Sequence, residues 1–129
     1  MPRANAAEIA VEIAAAERAG RPEIALRHFI QLNDNLVAEH NEARIALALP
    51  EPPSTAVPHW DAAIAGLVSY RLGQEGLPAP SWTSASSSRL DHEWTLNAGR
   101  YVIPVDRDRV PREFLDRGVL VDRDTLESV

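Results

Sequence analysis

Two apolar runs of helical periodicity, each opened by a proline and separated by a proline-rich break, decide most of what this chain can become. The first starts at Pro22 and sets Ala25, Leu26, Phe29, Ile30, Leu32, Leu36 and Val37 along one broad stripe. The second follows Pro58, with Trp60, Ile64, Leu67 and Val68 at intervals that again fit a helix. Proline belongs in a first helical turn, where its missing N–H has no intrahelical partner to lose. Between the runs, LPEPPSTAVP places three prolines within Pro50–Pro53, so no helix can cross it. The chain must therefore pack at least two helices through their apolar faces, with a strap between them.

The flanking segments add punctuation. Asn5 is a good cap for a first helix carrying Ile9 and Ile13, and Gly20 is a good stop for it. A third helical stretch is expected over Asn41–Leu49, and Gly73 or Gly76 ends the helix that follows Pro58. Beyond it, GLPAPSWTSASSS reads as loop, Arg89–Trp94 as a helical turn, and Arg100–Val105 as a short strand that Pro104 confines to an edge. Pro111 opens a short helix closed by Gly118, Val119–Val121 is extended, and Asp122 or Asp124 caps a last turn. The expected fold is mainly α: one domain over 1–129, with a helical core at about 5–76 and an irregular part at about 77–129 holding at most one or two short strands.

Composition narrows the function classes. At 129 residues, 45% of them hydrophobic, the chain is long enough for a core that needs neither disulfides nor metal. It has no cysteine, which removes disulfides, thiolate nucleophiles and cysteine-ligated zinc. The opening residues are interrupted by Glu8, Glu12 and Glu17, unlike a signal peptide or membrane span, and a soluble cytoplasmic protein without membrane association is expected. Net charge is −6, and acids outnumber arginines in every third: seven to five over 1–50, five to two over 51–99, and seven to six over 100–129. Nucleic-acid affinity needs clustered cations. The densest set, Arg100, Arg107, Arg109 and Arg112, is interleaved with Asp106, Asp108 and Glu113.

No catalytic grouping stands out. Asp91, His92 and Glu93 are adjacent, whereas two ligands on one helix face need a spacing of four. His59 and Asp61 diverge by roughly 200° on a helix, so a dyad is disfavoured, and Asp61 suits the positive end of a helix start. Ser84–Ser88 contains no nucleophile elbow, and no glycine-rich phosphate loop is present. On the second helix Arg27, Gln31 and Asp34 form a polar line with His28 beside it: a partner-binding face, or pairs facing water. Aromatic residues remain in the loop-rich half. Trp82, Trp94, Tyr101 and Phe114, with Arg100 nearby, have the composition that interface centres favour.

Three segments carry a resemblance: EIALRHFIQLNDNL, PPSTAVPHWDAAIAGLVSYRLGQEGLPAPSW and PREFLDRGVLVDRDTLESV, spanning Glu23–Trp82 and Pro111–Val129. They resemble a region of actinobacterial toxin–antitoxin proteins that usually follows a helix-turn-helix DNA-binding domain and is often encoded beside a nucleotidyltransferase-like protein. The residues before Glu23 have room for one helix rather than three, so DNA reading is not carried over, and the resemblance supplies no catalytic residue or cofactor. It implies a non-enzymatic, antitoxin-like domain that neutralises or scaffolds a cognate protein. Trp82, Trp94, Tyr101, Arg100 and Phe114 are the expected contacts, with Arg27 and Gln31 second, and a homo-oligomer is compatible with such a role. The alternatives are an oligomeric DNA-binding regulator using the C-terminal arginines, and a small ligand- or metal-binding enzyme using His59 or Asp91, His92 and Glu93.

Overall fold

A computed structural model describes residues 3–96 and 105–127. The protein is mainly helical: α1 (Ala6–Arg18), α2 (Pro22–Ala38), α3 (Asn41–Ala48) and α4 (Pro58–Gln74) are followed by the short helices α5 (Arg112–Leu115) and α6 (Arg123–Leu126). Two residue pairs, β1 (Trp94–Thr95) and β2 (Val119–Leu120), form a minimal parallel sheet with Trp94 opposite Val119 and Thr95 opposite Leu120. Among the described residues no helix is long and apolar enough to cross a membrane.

The local signals act as their chemistry dictates. Asn5 Oδ1 accepts from the Glu8 amide at 2.8 Å, and Glu8 Oε1 accepts from the Asn5 amide at 3.0 Å, closing a reciprocal cap on α1. At the other end Gly20 takes φ +71°, and the Arg21 and Gly20 amides turn back to the Ala16 and Glu17 carbonyls. Gly76 ends α4 in the same way, with the Leu77 and Gly76 amides on Leu72 and Gly73. Pro22 and Pro58 each occupy the first turn of their helix.

Helix α4 is the axis of the molecule. It contacts α1, α2, α3, α5, β2 and the turns after it, and every residue from Ala62 to Val68 is buried. Small side chains let neighbours come close: a Cβ on Gly66 would lie 2.8 Å from the ring of Phe114. One hydrophobic cluster runs from Ala6 through Phe29, Trp60 and Leu67 to Phe114 and Leu126.

The C-terminal part departs from expectation in three places. Arg89–Trp94 is not a helical turn: the Leu90, Trp94 and Leu96 amides donate to the Arg117, Gly118 and Leu120 carbonyls, drawing this segment alongside β2. The loop after α4 contains two 3₁₀ turns, Ser81–Ser84 and Ser86–Ser88. Phe114, expected at a contact surface, is fully buried against α4, because the amphipathic turn opened by Pro111 points its aromatic side chain inward. Residues 100–104 of the expected Arg100–Val105 strand, including Arg100 and Tyr101, lie outside the described residues.

Buried arginines bind this part to the helices. Arg71, 4% exposed, donates from Nε to Asn33 Oδ1 at 2.8 Å, from Nη2 to the Leu126 carbonyl at 2.7 Å and from Nη1 to Gln74 Oε1 at 2.7 Å. Asn33 Nδ2 reaches the same Leu126 carbonyl at 2.9 Å, so α6 is pinned to α2 and α4 together. Arg44, equally buried, instead ties the helices to one another, donating to Glu39 O after α2 at 2.9 Å and to Arg71 O in α4 at 2.7 Å. Burial lowers the pKa of Arg71 from its ordinary value, and Tyr70 and Glu127 work the other way. At that starting height the guanidinium keeps its charge, and its donors compensate for lost hydration.

Candidate interaction cleft

The strap between α3 and α4 is shaped by one carboxylate. Asp61, in the first turn of α4, accepts from Ser54 Oγ at 2.9 Å through Oδ2 and from the Thr55 amide at 2.8 Å through Oδ1. Thr55 Oγ1 lies 2.8 Å from the same Oδ1 and 3.0 Å from the Val57 carbonyl, with a single proton to share. Ala56 sits at φ +64°, a strained value for a residue with a Cβ, and its amide donates to Ser54 Oγ at 3.1 Å. Asp61 therefore holds the strap in one conformation from the strong end of the helix dipole.

Opposite the strap, the 3₁₀ turns are fastened from behind by Arg117. Its Nη2 donates to Thr83 O at 2.8 Å and Ser69 Oγ at 3.2 Å, and its Nη1 to Glu113 O at 2.7 Å. Its Nε is buried without a partner among the described residues, and burial, followed by the nearby Arg89 charge, lowers its pKa. The indole N–H of Trp82 donates to the Ala48 carbonyl at 3.0 Å, fixing the half-buried ring against the end of α3.

Strap and turns enclose a cleft of about 240 Å³. Glu51, Pro52 and Pro53 form one wall, Ala85, Ser87 and Ser88 the other, and Ile64 and Trp82 contribute its apolar surface. Typical small-molecule pockets are roughly 300–1,000 Å³, so this cleft fits one large side chain better than a cofactor. Among the described residues no histidine lines it beside the serines, and its two carboxylates are Glu51 and the occupied Asp61.

The other sequence-derived candidates are dispersed. Trp94 is half-buried: the His59 ring stacks on it at 4.1 Å between centroids and 14°, and its edge meets Trp60 at 5.3 Å. His59 is thus an aromatic spacer rather than half of a dyad; burial lowers its pKa, with Glu17 and Asp61 opposing. Arg27 and Gln31 are exposed on α2, away from the cleft lining. Gln31 pairs with Asn35 at 2.8 Å rather than with Arg27, and Asn35 in turn holds the Ala4 carbonyl at 3.0 Å.

Asp91, His92 and Glu93 are exposed on a bend, and Glu93 binds Arg107 through both oxygens at 2.6 and 2.7 Å. Arg109 is held by Asp122 at 3.2 Å and Asp124 at 2.6 Å, and Arg112 faces Asp116 at 3.5 Å. Three of the four cations of the expected arginine set are therefore neutralised within the chain. No group of three or more His, Asp or Glu able to hold a metal ion occurs among the described residues.

Sequence reasoning found Trp82 but missed the cleft around it. A signal existed: Ser54 and Thr55 offer donors six or seven residues before Asp61, a carboxylate in the first turn of a proline-opened helix, a side-chain-to-backbone pairing that orders a strap. The serines opposite carry no such signal, since Arg117 positions their turn from a distant part of the chain. No protein-family model, curated protein or solved structure matches this chain.

Proposed function

We propose that this chain is a non-enzymatic interaction domain of the antitoxin kind, which binds and neutralises or scaffolds a cognate partner protein, a nucleotidyltransferase-like toxin on the strength of the resemblance. The observation that carries the reading is Trp82: a large aromatic ring, fixed by its own N–H and left half-exposed in a cleft sized for one side chain. Interface energy concentrates on such anchors, because a rigid ring in a preformed pocket loses little entropy on binding. Leu49, at the end of α3 beside Ala48, is a second exposed apolar side chain, at 63% exposure. Trp94 is a weaker candidate, since much of its ring is spent on His59 and Trp60. Arg27 and Gln31 form a separate polar face on α2.

Co-expression with the protein encoded by the neighbouring gene tests this. The expected result is a stable complex that lowers the partner's toxicity, with affinity reduced about tenfold or more by Trp82→Ala, as for a central aromatic anchor. The variant's helical circular dichroism should match the parent, separating lost binding from lost folding. A parent protein that neither co-purifies with the partner nor relieves its toxicity overturns the reading.

A further inference from the structure

We propose that the cleft takes an arginine side chain from a segment of the partner protein; this rests on the chain being an interaction domain and names the chemistry it recognises. Charge is the first argument. Among the described residues, both ionisable groups in the lining, Glu51 and Asp61, are acids, and no arginine or histidine accompanies them. Asp61 is partly spoken for, through three strap contacts and the helix start. Glu51 is exposed and has no ion pair among the described residues, so its carboxylate is the free acceptor at the rim. An anionic guest would meet this charge without compensation.

The aromatic floor is the second argument. With its N–H committed to Ala48, Trp82 can offer a guest only ring surface. Ring surface attracts cations through its quadrupole, and a planar guanidinium stacks on it while still presenting donors at its edge. Those donors would find the Glu51 carboxylate and the Ser87 hydroxyl. Lysine supplies the charge without the plane. Volume is the third argument, because about 240 Å³ accommodates one long side chain.

Titration of the full ¹⁵N-labelled chain with acetyl-Gly-Arg-Gly-amide, and with its neutral citrulline counterpart, tests the proposal. Saturable shifts of the Trp82 indole and the Ser87 and Ser88 amides are expected with arginine, about tenfold weaker with citrulline, and about threefold weaker in Glu51→Gln, the scale of one exposed charge contact. Glu51 lies in the exposed strap, so its amide variant should retain the parent spectrum. Equal response to citrulline, equal response by Glu51→Gln, or no shift at these signals would overturn the proposal. Partner capture separates the two readings. A partner bound equally well by the parent and Glu51→Gln, without an arginine response, removes the arginine inference and keeps the interaction domain. An arginine response that persists when the neighbouring protein is never captured keeps the cleft chemistry and removes that protein as its source.

Discussion

Helices α1 and α2 and the C-terminal segment from Arg107 to Glu127 both rest on α4, but different forces hold them there. The first pair presents continuous stripes, Ile9, Ala10 and Ile13 from α1 against Phe29, Leu32 and Leu36 from α2, all buried. The C-terminal segment has helices of four residues and strands of two, too short to be stable alone. It is attached by a few apolar plugs, Phe114, Val119 and Leu126, and by arginine hydrogen bonds: Arg71 on the Leu126 carbonyl, Arg117 on the Thr83 carbonyl and the Ser69 hydroxyl. One region is held by area, the other by points. Point attachment concentrates the cost of a substitution at single residues, and in this protein the attached segment also backs one wall of the cleft.

The largest expected effect is therefore at a plug. Phe114→Ala should cost about 3–5 kcal/mol, the range for emptying a buried aromatic site. Amide exchange should rise first over 107–127 and the Ser81–Ser88 turns, with α1 and α2 still protected. Equal loss of protection in α1 and α2 would show that the two regions unfold as one unit and would break the comparison.

Arg71→Met comes next. It keeps much of the side-chain volume but removes three donors, leaving Asn33 Oδ1 buried and unpaired while Asn33 Nδ2 still holds the Leu126 carbonyl. A cost of about 1–3 kcal/mol is expected, as for one unsatisfied buried acceptor. Chemical denaturation should register it, and an Arg71→Met variant as stable as the parent would sink the idea that the orphaned acceptor carries a cost.

How legible each region was follows from the same contrast. The helices α1 to α4 could be read because their periodicity, caps and proline starts are local, and Gly20 and Gly76 stop them where a chain needs positive φ. The β1–β2 pairing could not be read. Two residues show no period, and Trp94 meets Val119 across the intervening α5. The role of Arg71 was equally hidden: in sequence it is one more polar residue in the last turn of a helix, and only its position against Asn33 and Leu126 makes it a fastener. At the site, Trp82 was visible as an aromatic in a loop, whereas Phe114 looked the same and lies in the core. Composition cannot separate two aromatics that differ only in whether α4 offers a glycine, Gly66, opposite them.

A smaller effect belongs to the region held by area. Asn5→Ala removes the acceptor for the Glu8 amide and should cost about 1 kcal/mol, the usual value of a side-chain cap. Thermal melting would measure it, with exchange rising at the first turn of α1 only. A larger loss, spreading to the Ser81–Ser88 turns, would mean that the two regions are less separate than their contacts suggest.

The smallest effect tests an aromatic contact on α4, the helix on which both regions rest. His59, on α4, stacks on Trp94 from β1, and burial lowers its pKa below the ordinary 6.5. Because the neutral ring is favoured in the fold, the unfolded chain takes up its proton first as pH falls. The stabilising contribution is thus complete above pH 6.5 and declines on acidification from there towards the lowered folded value. Melting temperature measured from pH 7.5 to pH 5.5 should fall more in the parent than in His59→Gln, which cannot titrate. Parallel curves would mean that His59 protonates equally in both states, so that the stack on Trp94 resists charge no better than water does.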